Sequence, residues 1–500
     1  MHAEESRLIS QKRICYDCVG EVYLSFEIFS SGTPTACSYC TAIVETISLE
    51  GLADRIESAF SDHYVRTSNE PQDYERALLA DKESDYDWER EGTHVLYAIQ
   101  ESAGLSENAA EDVLEILSER HASYSHDDIG EEQEFDPDSY YEEALESGAE
   151  WNEKWRIFER ALKTEARFFN REATSFLDEL FQGLDKLISR KKMPALFSAR
   201  RVKSSPIIVN AGPMSRIKHF YRARVFYSVD LLKTPLARPD LEIGPPPSKT
   251  AAAGRMSAPG ISVFYGASDR KTAIAEVRPP VGSWVAVAKF NVVRPLRLLD
   301  LNALDTAHDQ GSIFDPTWKE RLERVAFLRR LGDLMTRPVM PGDEIANYLP
   351  TQVVADYLAN GCSPSFDGVI FKSVQVKNGR NVVLFRQACR VVSLQPREGE
   401  RIDVDLFTMT EDGREPDFCV TAAAIDAMKD GLSPDIYPDF LGVDFSTFLP
   451  SNGEQDWREP GLEVDVESMQ VHEINWVGFT SKPHRVQRRY PRPLDNDDRF

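Results

Sequence analysis

The sequence predicts an α+β protein of several domains, and three observations carry that expectation. Two C-x-x-C pairs stand within the first 40 residues. From about residue 51 to 192, apolar residues recur at helical spacing. From 205 to 400 they gather instead into short Val-, Ile- and Phe-rich runs bounded by Gly, Pro and Asn. A chain of 500 residues is long enough for about three domains. The expected divisions are a zinc ribbon at 1–50, a helical domain at 51–195, a mixed α/β domain at 196–400 and an acidic extension at 401–500.

Composition excludes several classes. With 42% hydrophobic and 28% charged residues, the balance is that of an ordinary globular protein, not of a disordered chain, a collagen or a disulfide miniprotein. The formal net charge of -24 argues against bulk electrostatic binding to nucleic acid or to an anionic membrane. An anionic ligand must therefore meet a local cluster of Lys and Arg. No apolar run approaches the ~18 residues of a membrane span. The first fifteen residues contain no apolar stretch of the signal-peptide kind, so a cytoplasmic location is expected. Seven cysteines, an odd number in a large chain, do not read as a disulfide framework.

The elements follow in order. Cys15 and Cys18 are separated from Cys37 and Cys40 by 18 residues. Each C-x-x-C turn points two thiolates at one centre, and two such turns complete a tetrahedral shell. Four thiolates leave no open position for a reacting water, so the expected zinc is structural. The apolar stretch Val22 to Ile28 between the pairs is expected to be a short strand. In the helical segment, Trp151, Trp155, Phe158 and Leu162 share one face, as do Leu177, Leu180, Leu184 and Leu187. Between His121 and Glu150 lie eleven acidic residues and no Lys or Arg, which reads as a solvated loop around Asp136-Pro137-Asp138. From Lys186 to Val229 the pattern inverts to eleven Lys or Arg and no acid. This strip reads either as a face that docks on acidic parts of the chain or as an entrance for an anionic substrate.

In the α/β segment, strands are expected at Ile207 to Val209, Ile261 to Tyr265, Trp284 to Val293, Leu296 to Leu301, Gly368 to Phe371, Val382 to Phe385 and Val391 to Leu394. Helices are expected at Lys271 to Val277, Trp318 to Leu331 and Ile345 to Asn360. The stretch Gly244 to Pro259 is a long loop of the kind that often carries function. After residue 400 the chain is acidic again, with 21 Asp or Glu against 10 Lys or Arg.

The chemistry-bearing residues concentrate in the α/β segment. A loop ends in Gly254-Arg255-Met256-Ser257, a strand delivers Tyr265, and a short helix carries Glu276 one turn after Thr272. Farther on, Ser373 stands at a strand end and Asn381 in the next strand. Arg, Tyr and Glu are thus expected to converge on one cleft. Cys362, Cys389 and Cys419 have no obvious partner His and read as buried or incidental. Arg120 and His126 match the loose Arg-His spacing of HEPN ribonucleases, but the acidic run after them is a poor setting for RNA. The chain contains neither a P-loop nor a Gly-x-Gly-x-x-Gly, so a Rossmann mode of dinucleotide binding is not indicated.

The ordered set of Gly-Arg, Tyr, Ala-x-Ala-Glu, Ser and Asn, with Arg222 and Arg224 before it, resembles the RES domain family over roughly residues 215 to 398. The segment before it looks like the cysteine-rich, HEPN-like region often joined to such domains. Ser257 stands where many members have Asn. The resemblance implies a fold similar to ADP-ribosyltransferases. It also implies an enzyme that degrades NAD+ by phosphorolysis or hydrolysis, as a toxin or an antiviral defence effector. By matching position, the catalytic candidates are Glu276, Arg255, Tyr265 and Ser373, and the substrate-binding candidates are Arg222, Arg224 and Asn381. The residue types suit that chemistry. A carboxylate stabilises the positive C1′ that forms as neutral nicotinamide leaves. Guanidiniums grip phosphates bidentately, an aromatic ring stacks on a base, and Ser and Asn donate to phosphate or ribose. NAD+ and inorganic phosphate are the expected small partners, and an antitoxin or regulator the expected protein partner. The alternatives are ADP-ribose transfer to a macromolecule, and a non-catalytic module that senses a nucleotide. The acidic tail is a candidate internal brake, in which case deleting residues 401 to 500 raises basal activity.

Overall fold

The first cysteine pair lies where Arg13–Cys15 (β1) runs into the 3-10 turn Tyr16–Cys18. The second pair lies in the turn between Thr33–Ala36 (β2) and Ile43–Ser48 (β3). In the computed structural model these strands form one antiparallel sheet in the order β1-β3-β2. The structure describes residues 8–81, 84–122, 132–144, 148–167, 169–191, 203–337, 347–395, 400–411, 413–424 and 456–478.

The stretch between the two cysteine pairs is a helix, Val22–Ser31, and not the expected strand. Glu21 caps it by accepting the Leu24 N–H at 2.8 Å. Leu24 and Ile28, one turn apart, are the residues it buries. A short run dense in apolar residues fits either period, and here the cap and the i, i+4 pair decide the outcome.

Chain contacts divide the molecule into two compact units, Met1–Val209 with Leu299–Ser363 and Asn210–Leu298 with Pro364–Phe500. The first unit is mainly helical. Helices Leu49–His63, Val95–Ala103 and Glu107–His121 bury Leu52, Ile56, Phe60, Ile99, Val113 and Leu117 in a core shared with Leu24 and Ile28 of the ribbon. A small sheet of Tyr64–Arg66 (β4), Thr93–His94 (β5) and Tyr140–Glu143 (β6) closes one side, in the order β4-β6-β5. Helix Ala149–Thr164 carries the first expected face, whereas Arg171–Phe181 carries only Leu177 and Leu180 of the second, because the helix ends before Gly183 and Leu184 opens a separate 3-10 turn; Trp151 and Trp155 meet Phe176 and Phe327 ring to ring. Phe327 belongs to the long helix Trp318–Thr336. A further antiparallel sheet joins Ile188–Lys191 (β7), Lys203–Pro206 (β8) and Ala307–His308 (β14). Part of the basic strip, residues 192–202, lies outside the described residues.

The second unit is built on an eight-stranded sheet. Its strands are Ile208–Ala211 (β9), His219–Phe226 (β10), Phe264–Ala267 (β11), Trp284–Val292 (β12), Leu296–Asp300 (β13), Gly368–Lys372 (β15), Arg380–Leu384 (β16) and Leu462–Glu473 (β19). The order is β19-β12-β10-β11-β16-β15-β13-β9, and the boundary between the units falls within β9 and β13. β12 is buried along most of its length, as its Val- and Ala-rich sequence requires at a central position. It pairs with β10 at eight positions and with β19 on its other edge.

Three expectations change here. β10, central to the sheet, had not been expected as a strand. Val391 to Leu394 is no strand; Val391 makes only an isolated bridge to Leu462. The tail is also not one detachable extension, because β19 is an integral strand of the sheet. Its Leu462 and Val464 are buried, and its Asp465 pairs with Lys289 at 2.6 Å. Between them, Glu400–Thr410 (β17) and Gly413–Ala424 (β18) form a long hairpin. Among the described residues no helix is long and apolar enough to cross a membrane.

Candidate functional site

The sheet of the second unit has a seam. Strand β10 pairs with β12 along its whole length, whereas its register with β11 is confined to Tyr221 opposite Ala267. Past that pair the ladder stops. There Arg222 Nη1 donates to the carbonyl of Tyr265 at 2.7 Å, satisfying an acceptor that a neighbouring strand would otherwise take. The Arg222 guanidinium also lies 5.6 Å from the centre of the Phe264 ring. Burial first, and then the charge of Arg224, bring the Arg222 guanidinium down to about 10, which leaves it cationic at neutral pH.

The pleat sorts the remaining candidates. Alternate residues of β11 face opposite sides, so Tyr265 and Ala267 share one face and Phe264 the other. Register places Asn381 opposite Ala267 on one side and Phe371 on the other. Tyr265 and Asn381 therefore lie on one face of the sheet. The helix Arg270–Glu276 covers that face, with Ala273 packed among Ala223, Ala267, Val285 and Val287. Arg224, on an exposed stretch of β10, is held by Glu242, bonding its carboxylate at 2.9 Å and its carbonyl at 2.7 Å.

Arg255 sits in a tight turn in which Gly254 and Ser257 bond each other through their backbones at 2.9 and 3.4 Å. The hydroxyl of Tyr265 lies against this turn and accepts the Met256 N–H at 3.3 Å. A Cβ on residue 254 would fall 2.7 Å from that hydroxyl, so glycine is what lets the turn close on the tyrosine. Tyr265 is 37% exposed. Its ring thus stands at the surface beside Arg255, while its carbonyl anchors Arg222. Ser257, the last residue of the turn, is buried.

Glu276 ends its helix half-buried. Asp269 caps the other end, accepting the Thr272 N–H at 2.9 Å and the Thr272 hydroxyl at 2.8 Å. Burial pushes the Asp269 carboxyl up, but the hydrogen bonds from Thr272 outweigh it and hold the carboxyl below its ordinary value. The Ser373 hydroxyl donates to Glu276 Oε1 at 2.5 Å. Its oxygen accepts the N–H groups of Gln375 at 3.1 Å and Val376 at 3.0 Å. A hydroxyl has one proton and two lone pairs, and all three are engaged. Ser373 therefore has no proton to offer a phosphate or ribose while it holds Glu276. Arg278 lies just beyond the helix in a left-handed conformation, with φ of 47°. With its amide turned to suit its neighbours, Gln375 accepts from Arg278 Nε at 3.1 Å and Nη2 at 3.0 Å. The side chain of Asn381 is buried, and among the described residues its Oδ1 has no hydrogen-bond partner.

The structure thus joins the candidates in two groups, one at β10 and β11 and the other between the helix Arg270–Glu276 and the turn after β15, with β16 lying between β11 and β15. One is the Arg255 turn with Tyr265 and Arg222, and the other is Glu276 with Ser373. Sequence reasoning missed Gly379, Gln375 and Arg278. Nothing in the residue types marks these three; only packing reveals what they touch.

The competing site fares differently. Arg120 is held by Asp54 at 2.8 Å and Glu57 at 2.9 Å, and His126 lies outside the described residues. A hollow of about 760 Å³ nearby is lined by Asp54, Glu57, Arg66, His121, Glu134 and Tyr141, among others. Its acids are already engaged: Asp54 and Glu57 by Arg120, and Glu134 by the Tyr141 hydroxyl at 2.6 Å.

At the N-terminus the four cysteine sulfurs lie within 4.8 Å of one another, with Cys15 and Cys40 at 3.5 Å and Cys37 and Cys18 at 3.8 Å. Tetrahedral Zn–S bonds of about 2.3 Å place sulfurs roughly 3.8 Å apart. The four cysteines fit a metal ion such as zinc.

The second unit is a mixed α/β domain in which a serine holds a carboxylate at the end of a short helix, and a guanidinium fills a break in the ladder of its sheet. Residues 220–406 match the family model of the RES domain, so the chain carries a RES domain, a family associated with NAD+-related enzymes. The match leaves residues 1–219 and 407–500 outside it. A search of the curated proteins and a search of the solved structures found no match.

Proposed function

We propose that this chain is an NAD+-degrading enzyme that breaks the nicotinamide–ribose bond in its RES domain. The observation that carries the reading is the Ser373–Glu276 contact at 2.5 Å. A hydroxyl whose lone pairs are occupied by backbone N–H groups can only donate, so Ser373 fixes Oε1 of Glu276 in place as its acceptor. Among the described residues, Oε2 of Glu276 has no protein partner and is available to a substrate.

In this reading the C1′–N bond breaks and its electron pair leaves with nicotinamide, which departs as a neutral molecule. Positive charge develops at C1′ and on the ring oxygen, and the Glu276 carboxylate stabilises it or holds the ribose hydroxyls. An oxygen of inorganic phosphate or of water then bonds to C1′; water gives up a proton in that step. Arg255, in the turn against the Tyr265 hydroxyl, supplies positive charge that an anionic dinucleotide needs on an acidic protein, whereas Arg222 faces the opposite side of the sheet and holds the Tyr265 carbonyl. Tyr265, exposed beside Arg255, offers a ring for stacking. The cysteine cluster would hold a zinc ion in a closed four-thiolate shell, where it supplies folding energy and no catalytic position.

The test is chromatography of the products formed from NAD+ with and without added phosphate. Free nicotinamide is expected, together with ADP-ribose or its 1″-phosphate. The substitution Glu276→Gln is expected to lower turnover by about two to three powers of ten while NAD+ binding persists. Label retained on protein or RNA would favour ADP-ribose transfer. Binding without any release of nicotinamide would leave only the sensing module.

A further inference from the structure

The Glu276–Ser373 contact spans two separate elements, the helix Arg270–Glu276 and the turn that follows β15. Something must set the gap between them. The turn is closed by its own backbone, with Ser373 N–H donating to Gly379 O at 2.9 Å and Gly379 N–H to Val376 O at 3.0 Å. This places Gly379 directly under Ser373 and against the helix.

Gly379 is buried there without room for a side chain. A Cβ at this position would lie 2.8 Å from Thr272 Oγ1, 3.0 Å from Thr272 Cγ2 and 3.0 Å from Ser373 Cβ. Its backbone is not left-handed, so alanine is conformationally permitted and the obstacle is contact alone. Thr272 is not a yielding neighbour. It is fully buried, and its N–H and hydroxyl are both bonded to Asp269. A methyl group at 379 must therefore push on the Ser373 side, on the helix, or on both, and either movement lengthens the bond to Glu276.

We propose that Gly379 and Thr272 are positioning residues. The bare backbone of the one, seated against the capped wall of the other, sets the distance at which Ser373 reaches Glu276. This deepens the NAD+ reading and rests on it for its effect on rate.

The experiment is a double-mutant cycle on the full chain, comparing wild type, Gly379→Ala, Ser373→Ala and the double variant, with nicotinamide release and melting temperature measured on all four. Gly379→Ala is expected to lower kcat by about tenfold to a hundredfold, with KM for NAD+ changed less than about twofold. In the Ser373→Ala background the same substitution is expected to cost less than about twofold, because the contact it disturbs is already gone. Independent, multiplicative losses would overturn the proposal, as would a rise in KM with kcat intact. Should Gly379→Ala fail to fold, the pair Gly379→Ala with Thr272→Ala removes the two Thr272 atoms that oppose the new methyl and leaves only Ser373 Cβ at 3.0 Å. It is then expected to recover folding, and failure to do so would overturn the proposal. If wild type releases no nicotinamide, the NAD+ reading fails by itself. The positioning claim then stands or falls on whether the melting shifts of the same four proteins are non-additive or additive.

Discussion

The cysteine cluster and the Glu276 site are built by opposite means. All four sulfurs come from two short turns at the edge of one small sheet, and they meet within 4.8 Å. Glu276 and Ser373 stand 97 residues apart and meet only because β11, β16 and β15 pair in one register. A site of the first kind is specified by turn chemistry. The second kind is specified by the long-range order of a sheet, and is only as sound as that sheet's weakest edge.

Three perturbations break or sharpen this contrast. The largest effect is expected at the cluster. With a metal held by the four cysteines, chelation, or Cys15→Ser, is expected to cost on the order of 10 kcal/mol of folding energy. Elemental analysis should find about one metal ion per chain in wild type and none after Cys15→Ser. An unchanged melting profile would mean the ribbon holds without metal. Next is truncation after residue 456, which removes β19. The sheet then loses the strand that covers β12, along with the buried Leu462 and Val464. Burying two such side chains is worth about 3–6 kcal/mol, so soluble protein and activity should fall together. Raised activity would instead revive the tail as an inhibitory element. The smallest effect concerns Asp269. Its carboxyl is held below its ordinary value of 3.8 in the folded state, so its contribution is present above that value and lost as pH falls through the folded one. Asp269→Asn keeps a capping oxygen, so stability at neutral pH should change by only a few tenths of a kcal/mol. Thermal melts between pH 2 and 7 should show a shallower acid limb; a parallel limb would exclude Asp269 as a source of acid sensitivity.

How much of this was legible follows from the same contrast. The C-x-x-C spacing announced its cluster outright. Strands β12, β15 and β16 were also readable, because central strands are written as dense Val, Ile and Phe runs. β10 was not, since Arg222 and Arg224 interrupt its apolar pattern at alternate positions. Only the register shows that both lie on the side of the sheet opposite Tyr265. β19 was hidden for a related reason: its valines alternate with Glu463, Asp465 and Glu467, as suits a strand at a sheet edge. The helix Val22–Ser31 was misread because Val22, Phe26 and Phe29 are apolar yet exposed, which masked the buried pair beneath them. At the candidate site, residue types and their order were visible in the chain. Who touches whom was not, because hydrogen-bond saturation at Ser373 and the close packing at Gly379 depend on backbone placed by other strands.

One consequence of the Ser373 geometry reaches beyond positioning. An oxygen that already receives two amide protons and gives its own to a carboxylate has no lone pair left for attack on an electrophile. Fluorophosphonate probes, which report nucleophilic serines, should leave Ser373 unlabelled. Any covalent adduct formed during turnover would have to be sought at another residue.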